Sequence, residues 1–233
     1  MSLSVSYDLS QPDSVFYHPD VPDTDHTLFD RLLKQFVSQD GKVDYKGIKK
    51  NQKTLDLYLL ELSKGIPDQA SDNEKMAFWI NAYNAFTIKM IITHYPVKSI
   101  KTLHKGKPWD HKWITVNKVT YSLNDIEHKI IRARFKDPRI HFAVNCAAVS
   151  CPPLRNKAYS VENLDLELNE VTAAFINGNF NQITVSSLKL SALFDWYRED
   201  FGDIHSFISK YSTVKPRPTA TISFLEYNWN LNE

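Results

Sequence analysis

From Met76 to Ile88 the chain carries no charged side chain, and a helix-start signal stands directly ahead of that run. Ser71-Asp72-Asn73-Glu74 reads as a capping box, with Ser71 as N-cap and Glu74 reaching back to it. The spacing predicts a helix to about Tyr95, where Pro96 disfavours continuation. A helix that is apolar nearly all round has to be covered on every side. It therefore predicts a central buried spine with the rest of the chain wrapped about it. Spanning a bilayer takes about 20 apolar residues. The run is shorter, so no transmembrane segment is expected.

The flanking sequence supplies the cover. Leu28, Phe29, Leu32, Leu33, Phe36 and Val37 follow helical spacing, and Gly41 ends that segment. Leu55, Tyr58, Leu59 and Leu62 mark a second amphipathic helix. Lys98 to His111 reads as loop. Trp113–Val116 and Val119–Tyr121 flank Asn117-Lys118 and predict a hairpin. Ser122 caps a helix carrying Leu123, Ile126, Ile130 and Ile131. Ile140 to Asn145 reads as a strand and Pro152-Pro153 as a loop. Ser160 is placed to cap a helix through Leu164, Leu168, Val171 and Phe175, with Asn177-Gly178 as its stop. Ile183, Val185, Leu188 and Leu190 suggest a second hairpin. Two short helices, Ala192–Phe201 and Ile204–Tyr211, and a last strand, Thr221–Leu225, complete the chain. Helices outnumber strands, which predicts a mainly helical α+β domain with a small, largely antiparallel sheet. The polar, proline-bearing residues 1–24 read as an extended arm, and 25–233 as a single globular domain.

The chain's 233 residues are 42% hydrophobic and 24% charged, an ordinary composition for a soluble fold. Such a length buries roughly 70% of its unfolded surface, so no staple is needed. Lys+Arg is 28 against 27 Asp+Glu. That balance gives no field favouring nucleic acid or an anionic membrane. Lys98, Lys101, Lys105 and Lys107 read as a solvated face. Partners narrow to a small-molecule or peptide ligand. Met1 to Tyr7 has no signal-peptide pattern. If Met1-Ser2-Leu3 replaces a leader, a periplasmic or exported location is expected, and otherwise a cytoplasmic one.

Chemistry concentrates around two cysteines, Cys146 and Cys151, the chain's full complement. Cys146 sits where the expected strand gives way to a loop of small residues, a favourable place for a reactive side chain. A nucleophilic cysteine needs a lowered pKa; the competing reading is a buried structural cysteine. A strand would put His141 roughly 16 Å from Cys146, which disfavours pairing them. His141 remains a general base to test because imidazole titrates near neutrality. Glu127 lies within the apolar stripe of its helix with His128 on the flank. A carboxylate that orients a histidine facing a thiol follows triad logic. Asn81 and Asn84 lie on the buried spine and must be hydrogen-bonded. With Asn145 and Ser150 they are candidates for substrate or oxyanion contacts, or for holding the cysteine loop. Cys151 is a secondary thiol, and a Cys146–Cys151 bridge is sterically open. One C-x4-C lacks the two tight pairs of a structural zinc site. There is no H-E-x-x-H, Gly-rich phosphate loop or G-x-S-x-G. No cofactor and no metal ligands are assigned, and His94, His104 and His111 show no matching spacing.

Four segments carry a family resemblance. They are Phe78-Trp79-Ile80-Asn81-Ala82-Tyr83-Asn84-Ala85; Ser122-Leu123-Asn124-Asp125-Ile126-Glu127-His128; Asp137 through Asn145-Cys146 to Ser150-Cys151-Pro152-Pro153; and Leu193-Phe194-Asp195-Trp196-Tyr197. The chain resembles the domain of unknown function number 547 family over about residues 40 to 230. The resemblance implies bacterial, often exported, relatives, and eukaryotic ones joined to glutaredoxin-like or coiled-coil modules. It therefore implies a thiol-linked or assembly-linked role. Three readings follow. The first is a cysteine-dependent hydrolase or transferase built on Cys146, papain-like or transglutaminase-like in architecture. The second is a binding or scaffold domain whose polar motifs shape a pocket. The third is a Cys/His metal site.

Overall fold

The computed structural model describes residues 24–233. All but the last residue of the expected arm, 1–24, lies outside them. Helix α4 (Asp72–His94) is the element the others are arranged around. Its Ser71–Glu74 capping box forms in both directions. From Met76 to Ile88 every residue is buried, whichever way it points. Three earlier helices, α1 (Thr27–Phe36), α2 (Tyr45–Lys50) and α3 (Gln52–Ser63), make up one side of the cover. Helix α2 has no counterpart in the sequence reading. It starts at Asp44, whose side chain accepts from Gly47 N–H.

The first hairpin, β1 (Ile114–Val116) and β2 (Val119–Tyr121), pairs antiparallel as expected. Asn117 and Lys118 both take positive φ, 46° and 64°. Two left-handed residues in succession make the turn whose twist matches paired strands. Trp113 and Tyr121 of this hairpin set their rings edge-on against Phe86 and Trp79 of α4. Ser122 then caps α5: its Oγ accepts from Asp125 N–H while its own N–H donates to the Asp125 carboxylate. Helix α5 is π-helical over Asp125–Arg132 and α-helical over Ala133–Phe135. Such widened turns are rare in helices and concentrate at functional sites.

The second half of the chain builds its own apolar cluster. It comprises α6 (Leu164–Asn177), strands β3 (Gln182–Ile183), β4 (Ser187–Leu190) and β5 (Thr221–Phe224), and the short helices α7 (Leu193–Trp196), α8 (Arg198–Phe201) and α9 (Ile204–Tyr211). Strands β3 and β4 form the expected hairpin; β5 joins β4 in parallel, so the three-stranded sheet is mixed. Helix α6 departs from expectation at both ends. Ser160 does not cap it; Ser160 N–H is held by the Glu167 carboxylate, and the N-cap is Asn163. Gly178 ends it in an extended rather than a left-handed conformation.

Phe142 belongs to this second cluster while Ile140 and Ala143 belong to the first. The segment between them joins the two halves. The result is about half helical with two small sheets, a mainly helical α+β fold. Among the described residues no helix is long and apolar enough to cross a membrane. The cap on α4 sets where the spine begins. Ser71→Ala should lower stability by about 1 kcal/mol, read as a lower urea midpoint with an unchanged slope.

Candidate functional site

Asp137-Pro138 decides the conformation of the segment that leads to the cysteines. Asp137 accepts from Arg139 N–H and Pro138 takes the first helical position. The chain therefore enters a 3₁₀ helix, Pro138–Phe142, where the sequence reading expected a strand from Ile140 to Asn145. An N-cap followed by proline fixes the first turn before the β-branched residues can extend it. The separation of roughly 16 Å expected for a strand does not apply. A 3₁₀ helix rises only about 2.0 Å per residue. His141 and Cys146 consequently line one cavity.

Asn84 holds the segment to the spine. Its Nδ2 donates to Ala143 O and its Oδ1 accepts from Asn145 N–H, at 2.9 and 2.8 Å. Asn145 then closes the cysteine loop on itself. Its Oδ1 accepts from Ala147 N–H and its Nδ2 donates to Pro152 O. Ala147 is held at φ 61°, a conformation that costs a non-glycine residue energy and collects at functional sites. Asn81 makes a matching two-way clamp on the backbone of Tyr159. Ser150 exchanges hydrogen bonds with the backbone of Asn228. Asn81, Asn84, Asn145 and Ser150 thus hold backbone, and none of the four lines the cavity.

Both cysteines are unbridged, with sulfurs 2.9 Å apart. Cys146 is partly exposed, whereas Cys151 is 4% exposed. Burial pushes the Cys151 thiol well up, so the more buried sulfur keeps the proton the pair shares. The hydrogen bond it shares with Cys151 holds the Cys146 thiol below its ordinary range. Burial and the Glu127 charge oppose this; bonds from the Tyr227 hydroxyl and Ala148 N–H assist it. Tyr227 Oη lies 3.2 Å from Cys146 Sγ. Burial raises the Tyr227 hydroxyl far above its usual pKa, which leaves it protonated and able to donate.

The cavity encloses about 260 Å³. Tyr83, Trp109, Trp196, Tyr197, Tyr227 and Trp229 form much of its wall, with Glu127, His141 and both cysteines. Glu127 is 5% exposed and accepts a 2.6 Å hydrogen bond from the Tyr197 hydroxyl. His141 is 3% exposed, stacks on the Tyr197 ring at 3.9 Å, and binds Asp200 Oδ2 through Nε2 at 2.6 Å. Burial lowers the pKa of His141 despite the Asp200 hydrogen bond, so its imidazole is neutral at pH 7. Asp200 takes a two-pronged grip from Arg132, at 2.6 and 2.8 Å. That grip, helped by His141, holds the Asp200 carboxyl at about 2.

Glu127 and His128 part company. Glu127 faces the cysteines, while His128 Nδ1 contacts Arg132 and lines a separate cavity of about 440 Å³. Neighbouring helical residues do not face each other. Asp200, Tyr227 and Trp229 were not singled out by sequence reasoning. Asp200 arrives on α8. Tyr227 and Trp229 arrive on the C-terminal segment, which runs beside the cysteine loop through an Ala148–Leu231 bridge and a Val149 N–H bond to Asn230 O. The loop histidines do meet: His104 stacks on His111 at 3.8 Å and lies edge-on to His94 at 5.1 Å. Among the described residues no group of three His, Cys, Asp or Glu side chains is placed to hold a metal ion.

Fold and site together define a mainly helical α+β domain with a paired-thiol, aromatic-walled cavity. Residues 67–176 match the family described as Protein of unknown function, DUF547. The match takes in Glu127, His141 and both cysteines; Tyr197, Asp200, Tyr227 and Trp229 lie beyond it. No curated protein and no solved structure matches the chain. The Asn84 clamp positions the whole cysteine loop. Asn84→Ala leaves one buried carbonyl and one buried N–H without their partner. It should cost about 2–5 kcal/mol in urea unfolding, and thiol titration of the folded fraction should show Cys146 and Cys151 reacting at more nearly equal rates.

Proposed function

We propose that the cavity is a thiol-dependent acyl-transfer or amide-hydrolysis site with Cys146 as nucleophile. The observation that carries this reading is the setting of one sulfur. Cys146 opens onto the cavity with hydrogen-bond partners in Cys151, Tyr227 and Ala148 that favour its thiolate. A thiolate is the reactive form, and donors that stabilise it lower its pKa.

His141 is the base. Its Nε2 is bound to the Asp200 carboxylate, which accepts and therefore fixes the proton on Nε2. Nδ1 is then the nitrogen left to take up a proton. Asp200 orients the ring as the third member of a nucleophile–base–carboxylate set. Tyr227, protonated and next to the sulfur, is the donor nearest to where an oxyanion forms. His141 Nδ1 takes the Cys146 proton, and attack of the resulting thiolate on an ester or amide carbonyl forms the C–S bond. The leaving oxygen or nitrogen departs with the proton from His141. Water or an amine then attacks the thioester, its proton returns to His141, and the thiolate is released. Glu127 stays on the wall, bonded to Tyr197.

Alkylation tests the nucleophile. At pH 6, iodoacetamide should modify Cys146 ~10-fold or more faster than free cysteine, given a thiol pKa held below its usual range. Peptide mapping should show Cys151 untouched. The rise of that rate with pH should lie below the ordinary thiol range, because the thiolate is favoured in the fold. A rate at or below that of free cysteine removes this reading and leaves a non-catalytic binding cavity. Asp200→Asn should separate the two roles. Turnover of p-nitrophenyl acetate should fall ~100-fold or more, the usual scale of a lost acid–base contribution, while alkylation of Cys146 stays within about twofold.

A further inference from the structure

We infer that the cavity takes a primary alkylammonium group, docked between the Glu127 carboxylate and the aromatic wall. The inference rests on the acyl-transfer reading and deepens it by naming the acceptor. Two independent features point the same way. The first is charge. Among the described residues no lysine or arginine lines the cavity, and His141 is held neutral by burial. Glu127 does line it, 95% buried, and among the described residues its carboxylate accepts a single hydrogen bond. Arg132, whose charge reaches Glu127, is spent on the two-pronged pair with Asp200. Among the described residues, that carboxylate on the wall therefore has no cation of its own. Buried charge favours a partner strongly. An anionic ligand would meet repulsion here, and an ammonium would meet a charge-assisted hydrogen bond.

The second feature is the wall. Trp229 packs against Trp109, Trp196 and Tyr227, with ring centroids 5.5, 5.7 and 4.5 Å away. Trp196 is 47% exposed, a large aromatic surface left open at the cavity. Aromatic faces attract cations, tryptophan most of all, and they also cover an alkyl stem. A cavity of about 260 Å³ admits a short aliphatic chain with its head group. This is the chemistry of a lysine side chain or of a free diamine.

The acceptor step balances. The ammonium gives one proton to Glu127, and the neutral nitrogen attacks the carbonyl of the Cys146 thioester. The C–N bond forms, the C–S bond breaks, and sulfur leaves as thiolate. The second nitrogen proton goes to His141.

Titration of the full chain tests the site through tryptophan emission, with n-butylammonium, cadaverine, Nα-acetyl-lysine methylamide and, as control, n-butyrate. The three amines should bind and butyrate should not. Better binding by acetyl-lysine methylamide supports a polypeptide source, and better binding by cadaverine a free amine. Glu127→Gln retains a carbonyl to accept from Tyr197 and should weaken amine binding ~10-fold or more, the scale of one charge-assisted bond. Should that variant misfold, Trp229→Leu should weaken amine binding ~10-fold or more as well. Butyrate binding as tightly as butylammonium, or amine binding unchanged in a folded Glu127→Gln or Trp229→Leu variant, overturns the inference. Failure of the acyl-transfer reading looks different: amines bind, but Cys146 alkylates no faster than free cysteine.

Discussion

Asn84 is a polar residue on a helix with no polar side, and the fold is organised by that contradiction. Its side chain is 98% buried in the spine helix. A buried amide without partners is costly, so some strand of backbone has to come to it. The backbone that comes is residues 143–145. This one exchange stops the 3₁₀ helix from continuing and starts the cysteine loop at a fixed height on α4. Asn81, one turn earlier, does the same for Tyr159 beyond the loop. The cysteine loop is thus pinned upstream and downstream by two amides on one helix face. Asn145 then closes it internally. Of the two roles the sequence offers for these amides, substrate or oxyanion contact and holding the cysteine loop, the geometry is that of the second, one step removed from the cavity.

A second set of contacts runs across the cavity and joins the two halves of the fold. Arg132 on α5 grips Asp200 on α8; Asp200 binds His141; His141 stacks on Tyr197; Tyr197 donates to Glu127, back on α5. The loop of contacts is closed, and each member limits the freedom of the next. Arg132 keeps Asp200 ionised down to about pH 2. An ionised Asp200 fixes the proton of His141 on Nε2. Removal of Arg132 would free both the carboxylate and the imidazole, although Arg132 does not line the cysteine cavity. His128 falls outside this set because α5 turns it toward Arg132 and the smaller helix α8 rather than toward sulfur.

Much of the architecture is legible in the residues because it is set locally. The capping box of α4, the Asn117-Lys118 turn and the Ser122 cap each depend on neighbours within three or four positions. The misread segment, 140–145, is also local in origin. Asp137-Pro138 is a helix-start signal, and the apolar residues after it outweighed that signal in the reading of a strand. What no local pattern carries is the assembly of the cavity. Asp200 is 59 positions from His141, and Tyr227 is 81 from Cys146. Nothing in the spacing around Arg198-Glu199-Asp200 distinguishes the carboxylate that meets His141 from the one beside it. The C-terminal segment does carry a signal, Tyr227, Trp229 and Leu231 alternating with Asn228, Asn230 and Asn232, a strand-like period that puts Tyr227 and Trp229 on one side, but nothing in it names the cysteine loop as the backbone it runs beside.

That attachment bears on the reactivity of the thiols. The loop supplies two sulfurs and the backbone N–H of Ala148, all from within six residues. These alone would leave a buried pair in which desolvation opposes any thiolate. The C-terminal segment adds Tyr227, a hydroxyl donor to the partly exposed sulfur, and Trp229, which walls the same space. The asymmetry between the cysteines then follows from position. Cys151 is the more buried of the two and keeps its proton. Cys146 lies at the front, where the donors converge and the cavity opens. Cysteines five residues apart in one apolar stretch look alike in sequence. They acquire different chemistry because one is buried and holds the other's pKa down through the hydrogen bond between them, and a segment from the far end of the chain adds a hydroxyl to the more exposed sulfur.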